Sequence, residues 1–439
     1  MSSDHETGRK PLNGLSHVCG ETSPPLSDRT IGQWLDDTAS RWPDHPACVF
    51  SATGLRWTWA QLRDEADRLA GALLQLGLAP GDRLGIWSPN RSEWVLAQYA
   101  SARIGVVLVN INPAYRLAEL EYALNKVACK ALISAPAFKS SGYLQMLQTL
   151  APEWAHCVPG QLHAQRLPQL RCVVRMGDDI TPGMFNLGTL MAAVDATAVA
   201  DARRIGDTLG CMDAINIQFT SGTTGHPKGA TLSHHNVVNN AVAVAEAMGF
   251  TQADRLCIPV PLYHCFGMVM GSLVCTVKGG TMVFPGEGFD PLATLQALHD
   301  ERCTALHGVP TMFIAQLDHP EFKRFNLAAL RKGIMAGSPC PVEVMKRVNV
   351  DMHMSDVTIA YGMTETSPVS FQSAPSDPLH LRVSTVGRVL PHLEVKVIDT
   401  DGATVPVGQA GELCTRGYSV MRGYWGDEEL TAEALRGGW

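Results

Sequence analysis

Apolar and polar residues alternate in two ways along the chain, and the contrast predicts the fold class. Between 62 and 74, apolar residues recur every three or four positions with Arg and Asp between them, as in an amphipathic helix. A similar run at 31–42 follows Thr30 as a helix cap and ends at Pro43. Short apolar runs, such as 83–87 and 106–109, separate the helices as buried strands do. This order predicts an α/β fold whose parallel sheets are built from right-handed crossovers.

The α/β alternation occurs in two blocks and then changes character. Each block predicts one doubly wound sheet, although 154–213 is weakly periodic and predicts mainly a connection with one or two short strands such as 172–174. The last block alternates with a period of two, which favours a small antiparallel or β-barrel-like unit. The polar N-terminus predicts a flexible leader. The expected organisation is a leader at 1–29 and one domain at 30–439, with subdomains at about 30–213, 214–383 and 384–439.

Composition excludes several classes of protein. The 439 residues are 46% hydrophobic and 18% charged with a net charge of −7, which is ordinary for a globular protein. Lys and Arg form no block, so we expect no nucleic-acid partner. The twelve cysteines lack C-x-x-C spacing, so we expect neither a zinc site nor a disulfide scaffold. The longest apolar stretch, 266–277, is shorter than the ~18–20 residues that span a bilayer. We therefore expect a cytoplasmic protein without stable membrane insertion.

A loop rich in glycine and hydroxyl groups follows the apolar run at 215–219. Such a loop offers backbone N–H groups, hydroxyls and one lysine to phosphate oxygens, which a plain surface turn has no need for. It is not a Walker A loop, because Pro227 and Gly229 stand where that motif has Gly and Ser or Thr. The candidate phosphate ligands are Thr220, Ser221, Gly222, Thr223, Thr224, Gly225 and Lys228.

This loop resembles the signature loop of the adenylate-forming superfamily, which includes acyl-CoA synthetases, luciferases and the adenylation domains of peptide synthetases. Further stretches match that family in the expected order. They are Tyr361-Gly362-Met363-Thr364-Glu365, Ala336-Gly337-Ser338-Pro339, 261–267, and the later motifs at 411–413, 416–417 and 423–425. The resemblance covers about 30–439 and is greatest to medium-chain fatty-acyl-CoA ligases, with support from 306–313 and 386–388.

The resemblance implies roles for these residues. Tyr361 would stack on adenine beside Gly362, Gly337 and Ser338, and Thr364 would contact the α-phosphate. Glu365 would help to hold magnesium, since a carboxylate beside a polyphosphate is repelled unless a divalent cation lies between them. A core tyrosine and a solvated glutamate are the plainer alternatives. The implied acyl-site residues are His264, Phe266, Ala336, Gly337 and Met363.

The reaction implied is ATP-dependent activation of a carboxylic acid to acyl-AMP, followed by transfer of the acyl group to coenzyme A. The co-substrates would be ATP with Mg²⁺, and coenzyme A. The chain stops at 437–439, where the resembling family continues into a Thr-Gly-Asp segment and a small mobile domain carrying the adenylation lysine. The expectation is that this chain binds nucleotide but turns over poorly. A homodimer is one possible assembly.

Two other functions stay open from the sequence. One is a truncated, non-catalytic nucleotide-binding protein. The other is amino-acid or aryl-acid adenylation, but amino-acid activators place an acidic residue near the position of His264, and Tyr263-His264-Cys265 has none. Serine hydrolysis is disfavoured because no G-x-S-x-G elbow occurs. Acyl transfer by His234-His235 would need an acidic residue where Asn239 stands.

Overall fold

The computed structural model describes residues 10–220 and 226–439. In chain order the strands are β1 (His17–Cys19), β2 (Pro46–Phe50), β3 (Leu55–Thr58), β4 (Arg83–Trp87), β5 (Val107–Asn110), β6 (Ala131–Ser134), β7 (Ala137–Phe138), β8 (Ser141–Gly142), β9 (Cys172–Arg175), β10 (Phe185–Asn186), β11 (Ala214–Thr220), β12 (Lys228–Ser233), β13 (Arg255–Cys257), β14 (Thr281–Phe284), β15 (Ala305–Gly308), β16 (Lys332–Ala336), β17 (Asp356–Gly362), β18 (Val369–Gln372), β19 (Arg388–Val389), β20 (Leu393–Ile398), β21 (Glu412–Gly417) and β22 (Gly423–Tyr424).

The helices are α1 (Ile31–Arg41), α2 (Trp59–Gln75), α3 (Ser92–Arg103), α4 (Leu117–Lys126), α5 (Tyr143–Leu150), α6 (Leu187–Ala192), α7 (Ala196–Gly206), α8 (His234–Ala247), α9 (Cys265–Gly267), α10 (Val274–Lys278), α11 (Pro291–Asp300), α12 (Pro310–Leu317), α13 (Val342–Asp351), α14 (Leu379–Ser384) and α15 (Glu428–Ala434). A π-helical turn (Met268–Leu273) joins α9 to α10. Short 3₁₀ turns occur at Leu12–Gly14, Pro152–His156, Phe322–Arg324, Thr364–Thr366 and Arg436–Gly438.

Local sequence explains where the first two helices begin. The side chains of Thr30 and Thr58 accept hydrogen bonds from the backbone N–H groups of Gln33 and Gln61, and each Gln side chain accepts in return from the cap N–H. These capping boxes satisfy N–H groups that a helix start leaves without partners. The helix start predicted at Thr30 is confirmed. The helix predicted between 62 and 74 is confirmed as α2, which begins earlier, at Trp59.

Two large sheets form the body of the molecule. The first has the order β10-β9-β6-β4-β5-β11-β12-β22, with six parallel strands followed by two antiparallel ones. The second has the order β19-β18-β17-β16-β15-β13-β14-β2-β3, with six parallel strands at its centre. A small antiparallel sheet, β1-β20-β21, completes the predicted set of three units, although it is an open sheet of three strands.

A single buried cluster joins the two large sheets. It contains Leu84 and Ile86 from the first sheet, Ile334 from the second, and Val237 and Val269 from helices. A second cluster, which includes Leu306, Phe313 and Met335, also packs against the second sheet. None of the helices in the described ranges is long and apolar enough to cross a membrane.

The predicted subdomain boundaries at 213 and 383 do not match the sheets. β2 and β3 come from the first predicted block but pair in the second sheet, next to β14. β11 and β12 come from the second block but belong to the first sheet, and β22 from the last block pairs with β12. Strand pairing depends on burial across the whole molecule, which chain order alone does not reveal.

The predicted leader at 1–29 is corrected over its described part. His17–Cys19 forms β1 and pairs with β20. Further on, the Ser27 backbone N–H donates to Asn239 Oδ1 at 2.7 Å, and Asn239 Nδ2 donates to the Ser27 carbonyl at 3.0 Å. A polar sequence is ordered here because its backbone finds partners on other elements.

The weakly periodic stretch at 154–213 contains two helices that the sequence does not predict. The strand predicted at 172–174 is confirmed as β9. α6 and α7 follow it, and the Asp195 carboxylate caps α7 by accepting from the Ala198 backbone N–H at 2.8 Å. α7 buries only small residues, Ala198, Ala202 and Gly206, so its apolar face is too narrow to detect by periodicity.

Candidate functional site

Parallel strands bring the candidate residues to one edge of the second sheet. β13, β15, β16 and β17 are parallel neighbours, so their carboxyl ends lie side by side. Ala336 ends β16 and Tyr361 lies near the end of β17, while the turn containing His264 follows β13. The carboxyl edge of a parallel sheet is where α/β proteins bind ligands.

The Glu365 carboxylate connects the two large sheets. Its Oε1 accepts a hydrogen bond from Thr220 Oγ1 at 3.3 Å, and Thr220 is the last residue of β11 in the first sheet. The Tyr424 hydroxyl donates to the same oxygen at 2.9 Å. The backbone carbonyl of Glu365 accepts from the Met421 N–H at 2.8 Å. The end of β11 and the acidic residue after β17 therefore meet.

A cavity of about 470 Å³ lies beside Tyr361. Its lining includes Gly337, Ser338, Tyr361 and Gly362, which are four of the predicted nucleotide ligands. Tyr361 is 45% exposed although it is a large aromatic residue at a strand end, so its ring is available for stacking. Gly337 has φ +90°, which favours glycine at this position. The cavity volume is in the range of small-ligand sites.

Thr364 lies next to the predicted acyl-site turn. Its hydroxyl is 3.9 Å from the Cys265 Sγ, and Cys265 follows His264 directly. His264 Nδ1 accepts from the Phe266 backbone N–H at 3.1 Å and so caps α9. Desolvation by the surrounding protein lowers the pKa of His264, and burial raises the pKa of the Cys265 thiol to about 12. Both shifts favour the neutral form of the side chain, although the His264 side chain is itself exposed to solvent.

The remaining predicted acyl-site residues differ in exposure. Ala336 and Phe266 are buried, whereas Met363 is exposed on the loop after β17. A second cavity of about 400 Å³ reaches the same turn and is lined by Pro261, Tyr263 and Met312 among others. Phe266 belongs to the His264 turn itself, and contact of these candidates with an acyl group stays a prediction.

Part of the predicted phosphate loop lies outside the described residues, namely Ser221, Gly222, Thr223, Thr224 and Gly225. Both flanks are described. Thr220 ends β11, and Lys228 begins the antiparallel strand β12 directly opposite it. The Lys228 ammonium lies 5.3 Å from the ring centroid of Tyr424.

Family membership follows from a match over most of the chain. The model of the family described as "AMP-binding enzyme" matches residues 35–425. The chain belongs to this family. The resemblance inferred from the motifs is confirmed.

The curated relatives agree with this membership. Medium-chain acyl-CoA ligase ACSF2, mitochondrial, from Danio rerio is 46% identical over 428 residues, covering 97% of this chain and 70% of the relative. The human protein of the same name is 42% identical, with 97% and 70% covered. The putative acyl-CoA synthetase YngI of Bacillus subtilis is 44% identical, with 94% and 76% covered.

Solved structures confirm the predicted fold class. The inhibitor-bound N-terminal domain of FACL13 from Mycobacterium tuberculosis has a TM-score of 0.81 and 25% identity, and the match covers 94% of both chains. The anthranilate CoA ligase AuaEII in complex with anthranoyl-AMP has a TM-score of 0.82 at 22% identity, which bears on the fold alone. It covers 94% of this chain and 74% of that one.

Two contacts of the family site were not predicted from the sequence. Tyr424 was assigned only to a structural motif, and its hydrogen bond to Glu365 crosses 59 residues. Cys265 appeared only as part of the His264 turn, and its contact with Thr364 crosses 99 residues. The Gly-Tyr-Trp motif at 423–425 was the available signal for Tyr424, but it does not reveal the partner.

The donor set around Glu365 fits a magnesium ion. Among the described residues, Thr220 and Tyr424 donate side-chain hydrogen bonds to Glu365, and both bonds go to Oε1. The other carboxylate oxygen, Oε2, can still bind a hard cation. Two further groups of potential metal ligands occur within the described ranges, His17 with Cys19 and Glu394, and Asp28 with Cys211 and His235. Neither group contains Glu365.

Proposed function

We propose that this chain activates a medium-chain fatty acid with ATP, first as acyl-AMP and then as acyl-CoA. The observation that carries the proposal is the hydrogen bond between Thr220, at the start of the phosphate loop, and Glu365, beside Thr364. It joins the two segments on which an adenylating enzyme depends. Relatives that are 42–46% identical bear the name medium-chain acyl-CoA ligase, which supports the choice of substrate.

The first step is attack by a substrate carboxylate oxygen on the α-phosphorus of ATP. The bond from that phosphorus to the pyrophosphate oxygen breaks, and pyrophosphate leaves with the electron pair. We assign Thr364, which is buried on a 3₁₀ turn, as the hydrogen-bond donor to the α-phosphoryl oxygen. A preorganised hydroxyl at that position lowers the activation barrier. A magnesium ion held by Glu365 would supply positive charge against the charge of the phosphates. Lys228 and the loop would hold the leaving pyrophosphate.

The second step is attack by the coenzyme A thiolate on the acyl carbon. The mixed anhydride bond breaks, and AMP leaves with the electron pair. We assign Tyr361 as the residue that stacks on adenine in both steps, because its exposed ring borders the cavity lined by Gly337 and Ser338.

The uncharged turn at 263–265 favours an alkyl acid over an amino acid. An amino-acid substrate carries an ammonium group, which needs a nearby carboxylate. Here the pKa of His264 is lowered and that of Cys265 is raised, so neither side chain carries charge at pH 7. Phe266, which belongs to the same turn, adds a buried aromatic side chain. We infer that the substrate tail is neutral and apolar.

We also propose a cytoplasmic location. The twelve cysteines are all free, which suits a reducing compartment. The ACSF2 relatives are named mitochondrial, so the compartment is best tested directly by imaging a tagged chain. A homodimer stays a prediction, for which light scattering is the test.

The deciding experiment is calorimetric titration with non-hydrolysable acyl-AMP mimics of increasing chain length. We expect affinity to rise to a maximum at medium length, because each buried CH₂ contributes about 0.8 kcal/mol until the cavity is filled. An aminoacyl-AMP mimic serves as the comparison and should bind less tightly. The Thr364→Val variant, which replaces the hydroxyl with a methyl group of similar size, should bind every mimic about three- to tenfold more weakly.

Two results would contradict the proposal. One is that a folded chain fails to bind any mimic. The other is that affinity does not depend on chain length, or that the aminoacyl mimic binds best. Equal affinity of the wild type and Thr364→Val would remove Thr364 from the site while leaving the reaction intact.

A further inference from the structure

Tyr424 lies on a strand that is fixed to the phosphate loop. β22 pairs with β12, and Tyr424 stands opposite Ala230. The Trp425 backbone N–H donates to the Gly229 carbonyl at 2.8 Å, and the Arg422 N–H donates to the Thr231 carbonyl at 2.9 Å. A movement of β12, the strand that follows the phosphate loop, would therefore also move Tyr424.

The side chain of Tyr424 lies between two groups of opposite charge. Its hydroxyl donates to Glu365 Oε1 at 2.9 Å, while the Lys228 ammonium lies 5.3 Å from its ring centroid. The first contact is a hydrogen bond from a neutral donor, and the second is a cation–π contact. Both charged groups are thus held without being neutralised by each other.

The phenol is an uncharged donor at neutral pH, because a tyrosine hydroxyl ordinarily loses its proton only near pH 10. A lysine in place of this tyrosine would form an ion pair with Glu365. That ion pair would neutralise the carboxylate charge that a divalent cation needs. A direct ion pair between Lys228 and Glu365 would likewise remove the ammonium from phosphate.

We propose that Tyr424 is a positioning residue that keeps Glu365 and Lys228 apart, so that Glu365 remains free for a divalent cation and Lys228 for phosphate oxygens. This inference rests on the proposed function of the same site. It gives a role to the Gly423-Tyr424-Trp425 motif, which the adenylation chemistry alone does not require. Gly423 contributes to the same positioning. A Cβ atom there would lie 2.6 Å from Thr431 Cγ2 and would displace the strand that carries Tyr424.

The test is binding of α,β-methylene-ATP, measured by calorimetry across a Mg²⁺ titration. Tyr424→Phe removes only the hydroxyl and keeps the ring over which Lys228 lies. Without that hydroxyl, Glu365 is free to turn toward Lys228, and Mg²⁺ must compete with the ion pair. We expect the Mg²⁺ concentration for half-maximal binding to rise about tenfold, which corresponds to the loss of one hydrogen bond to a charged group.

Two controls separate positioning from general damage. Tyr418→Phe removes a buried hydroxyl that accepts a hydrogen bond from Asn240 Nδ2 at 3.5 Å. This hydroxyl makes no hydrogen bond to Glu365. It should leave the Mg²⁺ midpoint unchanged. In a Glu365→Gln background, Lys228 has no carboxylate to attract, so adding Tyr424→Phe should cause no further shift.

Each outcome bears on the inference. A shift in Tyr424→Phe that disappears in the Glu365→Gln background supports it. An unchanged midpoint in Tyr424→Phe overturns it and leaves the proposed function standing, provided that the wild type binds the nucleotide. A shift of the same size in both backgrounds also overturns it, because that result indicates a structural effect. Failure of the folded wild type to bind the nucleotide overturns the proposed function as well.

Discussion

His307 is a fully buried histidine whose two ring nitrogens both have partners. Its Nδ1 accepts from the Ile334 backbone N–H at 3.2 Å, so Nε2 carries the proton and donates to the Met270 carbonyl at 2.9 Å. Met270 lies in the π-helical turn, and the His307 ring is 5.5 Å from that of Phe266. This one residue therefore joins β15 and β16 to the π-helical turn that follows α9.

The free energy of unfolding should decrease as the pH is lowered, partly because of His307. Desolvation lowers its pKa to about 4, so between pH 6.5 and 4 the unfolded chain binds a proton that the folded chain does not. This contribution is fully present above pH 6.5 and is lost as the pH falls, by about 2 kcal/mol between pH 7 and 5. We expect His307→Gln to have a smaller difference in urea-unfolding free energy between these two pH values.

The exposed His156 gives the matched control, because His156→Gln should keep the wild-type pH dependence. An identical pH dependence for wild type and His307→Gln would show that His307 does not resist protonation. His234, also buried with a pKa lowered to about 4 by desolvation, continues to contribute in both variants.

Individual site residues differ in how far the sequence reveals them. Tyr361, Thr364 and Glu365 are contiguous, so a short motif identifies them together. Tyr424 and Cys265 act through contacts with distant residues, and a lone tyrosine or cysteine carries no signal of its partner. Whether Glu365 points at a phenol or at solvent depends on where β22 pairs.

At the scale of elements, four helices meet around one buried ion network. Arg103 of α3 donates through Nε to Asp67 Oδ1 of α2 at 2.7 Å, and through its two terminal nitrogens to Asp36 of α1 at 2.6 Å. Arg203 of α7 donates to the other oxygen of Asp67 at 2.7 Å. The Asp67 side chain is fully buried, so its charge depends on these two guanidinium groups.

Asp67→Ala should destabilise the chain by about 3–5 kcal/mol, because it removes the fully buried carboxylate that pairs with Arg103 and leaves only the partly exposed Asp36 beside that buried guanidinium. Asp64, three residues earlier on the same helix, is about half exposed and also pairs with arginines. Asp64→Ala should cost less than about 1 kcal/mol. Urea unfolding of both variants at pH 7 measures the difference, and equal losses would contradict the role of the buried network.

Helices were predictable where they bury large residues behind a cap. α2 has Leu62, Leu69 and Leu73 on one face and ends before Gly77, as the sequence predicts, whereas its start after Thr58 was not predicted. α7 packs through alanine and glycine and was missed, although it carries Arg203. Its face becomes a packing surface only when α2 lies against it.

At the scale of the whole molecule, the sheets exchange strands and share one core. The block at 30–213 gives β2 and β3 to the second sheet and receives β11, β12 and β22 for its own. The buried cluster between the sheets also draws on both. Neither large sheet can therefore be completed by a continuous half of the chain.

A fragment containing only 30–213 should fail to fold cooperatively. It would lack three strands of the first sheet, and β2 would have lost its neighbour β14, leaving apolar surface exposed to water. We expect a broad thermal transition by circular dichroism and strong binding of a hydrophobic dye. The chain 10–439, measured alongside, should melt in one sharp transition. Sharp melting of the fragment would contradict this account.

The sequence by itself determined the α/β class and the helix start at Thr30, and it identified two candidate site segments, the loop after β11 and the segment from Tyr361 to Glu365. These features depend on neighbouring residues, so helix periodicity, capping and motif chemistry reveal them. Only the tertiary structure decided which strands pair, that β1 is ordered, and that Tyr424 lies between Lys228 and Glu365. Thr220 and Glu365 are 145 residues apart, and closing such a loop costs entropy that only burial of the common core offsets.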